Sequence, residues 1–286
     1  MNQKVSRLAK DHVFVDMFNQ KKYCLELFNA LHPEMKDISE DDIANISISH
    51  VIVDRPYNDL GFTVRGRLLV LVEAQSKWSY NILLRILLYL ADTYTEIIHS
   101  HENWDVHATP KLPIPPPEFY VIYTGDQSVP EKISLRRDFF QDKNVPLDLE
   151  ARVINTENTD DIIGQYIIYA HVFDQQVRKY GRERIAIEET IRICKSRGAL
   201  IEYLTSHEKE VVDSMVMLFE QEFAVQRFGN RMKAEGEAEG EAKAEAKAME
   251  RDKRRVLRMY ERGDTLEKIA ENMDLPLEQI KNWTQQ

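Results

Sequence analysis

The fold of this chain is decided by residues 57–89, which read YNDLGFTVRGRLLVLVEAQSKWSYNILLRILLY. The centre of this stretch is the apolar run LLVLVEAQ at residues 68–75, which is typical of a central strand buried on both faces. Extended segments are predicted before it, at residues 46–53, which are rich in β-branched side chains, and at residues 62–65. A tight turn at Gly66 separates the last two segments. The stretch therefore predicts neighbouring strands of one sheet.

The elements around this stretch indicate a mixed α/β arrangement. Spacing of apolar residues predicts a helical opening within residues 1–35 and a long helix from Tyr80 to His99, with Ser79 as its N-cap. Further strands are predicted at residues 119–123 and 147–155. The order helix, three strands, helix, strand, strand predicts an α/β fold, with a mixed-sheet core flanked by helices.

The C-terminal half is predicted to be helical. Candidate helices are Ile162–Tyr180, Arg184–Arg197 and about Glu208–Phe228, and an Ala/Glu/Lys/Gly repeat then forms either a solvated helix or a flexible spacer. Three short helices follow at the spacing of a helix-turn-helix. We therefore expect four segments. The first two are a core over residues 1–160 and a helical extension packed on it over residues 161–232. The last two are an Ala/Glu/Lys-rich spacer over residues 233–250 and a small helix-turn-helix-like unit over residues 251–286.

The composition excludes some classes of protein. The two cysteines, Cys24 and Cys194, form no Cys-x-x-Cys pair, and we expect reduced thiols in a cytoplasmic protein. Charged residues interrupt the longest apolar stretch, Ile82–Ile98, so we expect neither a membrane span nor a membrane partner. The formal net charge of -10 argues against non-specific coating of nucleic acid, because an acidic protein repels phosphates.

Polar residues end the most apolar strand. Glu73 and Gln75 are two positions apart, so they share one face of the predicted strand. Asp59, which opens the preceding extended segment, offers a second carboxylate. Carboxylate oxygens at strand ends bind hard cations such as Mg²⁺, which activate a water and stabilise charge on a leaving oxygen. Two structural alternatives stay open: Asp59 as a turn residue, and Glu73 as an ion-pair partner of Arg85.

The predicted helix after this strand carries a polar stripe. Asn81, Arg85 and Tyr89 are four positions apart, so they lie along one side of the helix. If this stripe faces Gln75, Arg85 is suited to clamp a scissile phosphate. A stripe that faces solvent is the alternative. The buried side is predicted to consist of Ile82, Leu83, Ile86, Leu87 and Leu90.

The wider sequence resembles a known family. The pair Asn58-Asp59, followed fourteen positions later by Glu73-Ala74-Gln75, is similar to the motif of the PD-(D/E)xK nuclease superfamily. The string YNDLGFTV…LLVLVEAQSKWSYNILLRILLYLADTY resembles the Rpn family of recombination-promoting nucleases, which are also described as transposases. The similarity continues through KLPIPPPEFYVIYTG, ARVINTEN and IEETIRICKSRGALIEYLTSHEKEVV, and it covers roughly residues 11–225.

This resemblance implies a set of site residues. Asp59 and Glu73 would be ligands of Mg²⁺ or Mn²⁺, with the carbonyl of Ala74 as a third ligand. Gln75 stands where related nucleases usually have a lysine, and an amide cannot take a proton from water at neutral pH. Lys77 lies two positions further on the same strand face, if the strand extends that far, and is a candidate for the missing positive charge. A solvated lysine at a strand end is the alternative.

Three functions are compatible with these residues. The first is a metal-dependent endonuclease that binds DNA and is linked to recombination or transposition, and the nuclease-like core over residues 1–160 would carry it. The second is a catalytically weak or inactive nuclease-fold protein that serves in DNA binding or assembly. The third is a ribonuclease, because this chemistry does not choose between DNA and RNA. The helical unit after the spacer makes a homodimer plausible.

Overall fold

The computed structural model describes residues 6–46, 59–66, 68–141 and 144–285, and for residues 6–9, 11, 46 and 59 it describes the backbone alone. The described residues form nine α-helices, which are α1 (Ser6–Phe18), α2 (Lys21–Leu31), α3 (Asn81–His99), α4 (Ile162–Tyr180), α5 (Arg184–Ser196), α6 (Ile201–Ser206), α7 (Glu208–Glu261), α8 (Leu266–Met273) and α9 (Leu277–Thr284). They also form six strands, which are β1 (Ile43–Ile46), β2 (Asp59–Val64), β3 (Leu68–Gln75), β4 (Pro117–Tyr123), β5 (Lys132–Ser134) and β6 (Glu150–Ile154).

The six strands make one mixed sheet in the order β1-β2-β3-β4-β6-β5. Strands β3, β4 and β6 are parallel to one another at its centre. Strands β1 and β2 form an antiparallel edge beside β3, and β5 is antiparallel to β6 at the other edge. Helix α3 connects the parallel neighbours β3 and β4. The expected α/β architecture with a mixed sheet is thus confirmed.

Strand β3 is buried on both of its faces. Val70, Val72 and Ala74 belong to a large core cluster that also contains residues of α1, α2, α4, α5 and α6. Leu69 and Leu71 belong to a second cluster, which contains Ile82, Leu83 and Ile86 of α3. The sheet therefore lies between two helical layers, and this explains why the strand has a continuous apolar sequence rather than an alternating one.

The predicted bounds agree with the structure where the sequence is most apolar. Strand β3 and helix α4 have the bounds that the sequence predicted. Helix α3 begins one residue later than predicted, at Asn81, and the Ser79 hydroxyl accepts a hydrogen bond from the Asn81 amide at 3.3 Å. The N-cap is nevertheless Tyr80, whose side chain makes no capping hydrogen bond, and not the predicted Ser79.

Shorter elements differ from the prediction. The helical opening consists of two helices, α1 and α2, with a break between Phe18 and Lys21. Strand β1 occupies Ile43–Ile46 and shares only Ile46 with the strand predicted at residues 46–53, of which residues 47–53 lie outside the described residues. Strand β5, helix α6 and a π-helical turn at Leu135–Phe139 were not predicted.

The chain divides into two compact units, Met1–Gln221 and Glu222–Gln286, and the boundary falls inside helix α7. In the first unit, helices α4, α5 and α6 share a core with the sheet. Residues 233–250, expected as a helix or a spacer, lie within α7. The Lys243 ammonium donates to the Glu239 carboxylate at 3.3 Å there, as is common one turn apart on an exposed helix.

The second unit has a small core of its own. Val256, Ile269 and Ile280 are fully buried, one from each of α7, α8 and α9. The Thr265 side chain caps α8 by accepting from the Lys268 amide. Asp274 takes a left-handed conformation (φ 52°) between α8 and α9. The end of α7 therefore shares an apolar core with α8 and α9, and it belongs to a 54-residue helix rather than to the short helix that was expected.

Across the part of the chain that the structure describes, no helix combines the length and the apolar character needed to cross a lipid bilayer.

Candidate functional site

The polar end of β3 is buried. Glu73 is 4% exposed and Gln75 is 1% exposed, and both follow the five apolar residues that begin the strand. Burying a charged carboxylate costs free energy unless it has partners, since water no longer solvates it. A partner for Glu73 is therefore required by its position.

The strand register places Asp59 directly opposite Glu73. The two residues are Cα partners in the antiparallel pair of β2 and β3. On the other side of β3, Glu73 is the partner of Val121, and Gln75 is the partner of Tyr123. Directly opposed positions in neighbouring strands share a face of the sheet. Leu69, Leu71, Val121 and Tyr123 all belong to the cluster of α3, so this is the face that α3 covers.

Helix α3 supplies the partner of Glu73. The Arg85 guanidinium, through Nη2, donates to Glu73 Oε1, and the two side chains form an ion pair. The same Nη2 donates to Gln75 Oε1 at 2.9 Å. One cationic nitrogen thus joins the two polar side chains at the end of β3. The alternative in which Glu73 pairs with Arg85 is therefore present in the structure.

The Gln75 amide has a defined orientation. Its Nε2 donates to the backbone carbonyl of Lys77, and its Oε1 faces Arg85 and accepts from Nη2. Its backbone carbonyl accepts from the amide of Thr124 at 2.9 Å, just after β4. The amide thus offers an oxygen, and no acidic or basic group, to this place.

The remaining predicted residues take different positions. Strand β3 ends at Gln75, so Lys77 does not continue the strand face and lies exposed on a bend. Asn81 is exposed at the start of α3, whereas Tyr89 is only 6% exposed and lies on the buried side of the helix. The predicted polar stripe therefore passes from the exposed Asn81 through the half-buried Arg85 to the buried Tyr89.

The side chains at this place fit a hard divalent cation in their chemistry. The Glu73 carboxylate and the Gln75 amide present two oxygens to one positively charged nitrogen, that of Arg85. Oxygen donors with a carboxylate among them are the ligands that Mg²⁺ and Mn²⁺ take in proteins. Among the described side chains, which exclude that of Asp59, no group of three or more His, Cys, Asp or Glu could hold a metal ion. A site here would therefore depend on Asp59.

A second polar network lies at the opposite end of β4 and was not predicted. The His32 ring, at the C-terminal end of α2, is 2.8 Å from the Glu118 carboxylate and 3.0 Å from that of Glu34. The Tyr120 hydroxyl donates to Glu118 at 2.6 Å. Burial, followed by the Glu118 carboxylate, raises the pKa of Tyr120. This network ties α2 to β4 on the face of the sheet away from Arg85, and its residues lie too far apart in sequence to form a motif.

Comparison of the whole chain with known proteins found no match among family models, among curated proteins or among solved structures.

Proposed function

We propose that this chain is a metal-dependent nuclease of the PD-(D/E)xK class, similar to the Rpn recombination-promoting nucleases, and that it hydrolyses phosphodiester bonds of DNA. One observation carries this proposal: the register that sets Asp59 directly opposite Glu73, with Gln75 two residues further along the same buried strand. A mixed sheet flanked by helices is the architecture that the family resemblance implies, and the fold agrees with it at that level.

In this proposal the side chains have separate tasks. Asp59 and Glu73 hold Mg²⁺ or Mn²⁺, with the Ala74 carbonyl as a third ligand. The cation would supply positive charge to the leaving oxygen and acidify a water. Arg85, half-buried and adjacent to both Glu73 and Gln75, binds the scissile phosphate through its planar guanidinium.

The role of Gln75 is confined to orientation. Its Nε2 is engaged by the Lys77 carbonyl and its Oε1 by Arg85, so it holds neighbouring groups in place. An amide takes no proton at neutral pH, so we expect slower cleavage than a lysine in this position would support. Asn81, exposed at the start of α3, is available for a substrate contact, whereas the burial of Tyr89 gives no support to such a role.

The test is nicking of supercoiled plasmid by the purified full-length protein in Mg²⁺, with EDTA as the metal-free control. Asp59→Asn and Glu73→Gln keep the size of each side chain and remove its charge. Glu150→Gln is the matched control, because Glu150 is an exposed carboxylate on strand β6 of the same sheet. We expect nicking in Mg²⁺ that is lost in EDTA and in both site variants, and kept in Glu150→Gln. Folding of each variant is checked by circular dichroism.

A second candidate function is a non-catalytic nuclease-fold protein that binds DNA or assembles on it. The Arg85–Glu73 ion pair favours it, because a carboxylate that serves only structure is expected to be paired in this way. The amide at Gln75 favours it as well. If all proteins are folded but inert on plasmid, the same assay is repeated on single-stranded RNA. Inertness on both substrates would contradict the nuclease proposal and support this second candidate.

A further inference from the structure

The position of Arg85 bears on the binding of two ligands, a divalent cation and a phosphate. Its Nη2 lies between Glu73 Oε1 and Gln75 Oε1, which are two of the side-chain oxygens on this strand face that suit a hard cation. A guanidinium carries a single positive charge, and it satisfies these oxygens by hydrogen bonds rather than by coordination. Arg85 and a divalent cation would therefore compete for the same oxygens.

We propose that Arg85 is a positioning residue that alternates between two partners: it holds the Glu73 and Gln75 oxygens in the absence of a divalent cation, and it turns to the substrate phosphate when a cation takes them. This proposal rests on the proposed nuclease function and adds to it a coupling between the cation and the phosphate. The coupling is an exchange of partners, since the group displaced by the cation is itself the anion-binding group.

The burial of the two charges is unequal, and this allows the exchange. The Glu73 side chain is 5% exposed, whereas that of Arg85 is 33% exposed and reaches solvent. Glu73 is fixed on a central strand, while Arg85 has a long and flexible stem on the helix that covers the strand. When a cation binds, Arg85 is therefore the partner that can move.

The hydrogen bonding of Arg85 also leaves room for a better partner. Its Nε is a buried donor that has no hydrogen-bond acceptor among the described residues. An unsatisfied buried donor costs free energy, because its bond to water is lost and not replaced. A phosphate accepts two parallel N–H bonds from the edge of a guanidinium, one of them from Nε. The phosphate would thus satisfy the donor that the pair with Glu73 leaves open.

The consequence is positive linkage between the cation and the phosphate. A cation that binds first releases Arg85 for the phosphate, and a phosphate that binds first draws Arg85 away from the oxygens. Without the guanidinium, the cation no longer competes with Arg85 for these oxygens. Removal of Arg85 should therefore strengthen cation binding while it weakens phosphate binding, whereas removal of an arginine that only pairs with Glu73 would leave phosphate binding unchanged.

The experiment measures Mn²⁺ binding in the absence of nucleic acid, by the loss of the free Mn²⁺ electron paramagnetic resonance signal on titration. The proteins are wild type, Arg85→Ala and Arg85→Gln, of which the last keeps a donor for Glu73 without the charge. Arg178→Ala is the matched control, because Arg178 pairs with Asp126 at 3.5 Å on the open surface. We expect both Arg85 variants to bind Mn²⁺ about tenfold more tightly than wild type, which corresponds to about 1.4 kcal/mol. Arg178→Ala should bind as wild type does.

The melting temperature gives a second readout from the same samples. Saturating Mn²⁺ should raise the Tm of Arg85→Ala more than that of wild type, because the cation replaces the lost partner of Glu73. Equal or weaker Mn²⁺ binding by folded Arg85 variants would overturn the exchange and leave the proposed nuclease intact. Absence of Mn²⁺ binding in every protein, wild type included, would overturn both proposals.

Discussion

Glu73 and Arg85 form an ion pair that crosses from the central strand β3 to the helix α3 that covers it. The pair is asymmetric, since the carboxylate is almost fully buried while the guanidinium is one-third exposed. The hydrogen bond from Arg85 to Gln75 extends the pair along the strand to its last residue. Helix α3 is thus attached to the sheet by polar contacts in addition to the apolar contacts of its buried side.

This asymmetry predicts unequal costs for the two truncations. Arg85→Ala leaves a buried charge on Glu73 and should lower the free energy of unfolding by about 3 kcal/mol. Glu73→Ala leaves Arg85, which can reach water, and should cost about 1 kcal/mol. Urea unfolding followed by circular dichroism measures both. The double variant should cost less than the sum of the two, with a coupling of about 1–2 kcal/mol. Equal costs for the single variants would contradict the asymmetry.

Binding of DNA should depend on a cation through Arg85. With Ca²⁺ in place of Mg²⁺, to favour binding without cleavage, we expect the affinity of wild type for a duplex oligonucleotide to rise by about fivefold or more. In Arg85→Ala this increase in DNA affinity should be lost, because the variant has no guanidinium that a bound cation could release towards the phosphate. Fluorescence anisotropy with and without Ca²⁺ measures the change, with Arg178→Ala as the control. An equal increase in DNA affinity in wild type, Arg85→Ala and Arg178→Ala would mean that the cation strengthens DNA binding without Arg85, and it would contradict this prediction.

The sequence predicted the elements that are long and strongly apolar. Strand β3 was placed correctly because it is buried and almost wholly apolar, and helix α4 because apolar residues recur along its nineteen positions. Strand β5 has three residues and helix α6 has six, which is too short for any periodicity to show. The break between α1 and α2 at Asn19-Gln20 was missed because neither residue is a glycine or a proline.

The candidate site was predicted in part for a similar reason. The two-residue spacing of Glu73 and Gln75 fixes their common face once the strand is known. The sequence left the partner of Glu73 open, because Arg85 could reach Glu73, a phosphate or solvent from the same helix. Tyr89 was assigned to the polar stripe from its spacing, but it is one of the buried residues of α3. Which side of a helix is covered depends on the layers around it, and spacing alone does not give that.

The two cysteine thiols should be unreactive in the folded protein. Cys24 and Cys194 are free and fully buried, and burial raises the pKa of each thiol to about 12. At pH 8 only about one thiol in 10⁴ is then ionised, and the thiolate is the reactive form. We expect no rapid reaction with a disulfide reagent such as DTNB in native buffer, and reaction of two thiols per chain in 8 M urea. Rapid modification of either thiol in native buffer would contradict this burial.

The loop after β4 should tolerate no side chain at Gly125. A Cβ there would lie 2.5 Å from the Ser76 carbonyl oxygen and would also collide with the Tyr123 hydroxyl. The Ser76 carbonyl belongs to the backbone just after β3, so it cannot turn aside as a flexible side chain could. Gly125→Ala should therefore lower the free energy of unfolding by about 1–3 kcal/mol. Gly236→Ala is the control, because nothing lies within 4 Å of a Cβ at that exposed helical position. It should raise helix stability by about 0.5–1 kcal/mol. Urea unfolding of both variants should therefore show changes of opposite sign.

Stability near the antiparallel edge of the sheet should depend on acid pH through Asp42. The hydrogen bond from the Arg65 guanidinium lowers the pKa of Asp42 from 3.8 to about 2. A carboxyl whose pKa is lower in the folded state contributes stability above its unfolded value, and that contribution is lost as the pH falls through the folded value. The stability difference between wild type and Asp42→Asn should therefore be constant above about pH 5 and shrink between pH 4 and pH 2.

Two controls separate this ion pair from other carboxylates that titrate in the same range. Arg65→Ala removes the cause of the lowered pKa, so Asp42→Asn in that background should change the pH dependence much less. Since the Arg65 side chain is 40% exposed, 1 M NaCl should also reduce the effect in wild type by screening. Thermal unfolding at half-unit pH steps, in low and high salt, measures both. A wild-type difference that persists unchanged at pH 2 would mean that Asp42 acts through its hydrogen bonds to Ser39, which hold the turn before β1, and not through its charge.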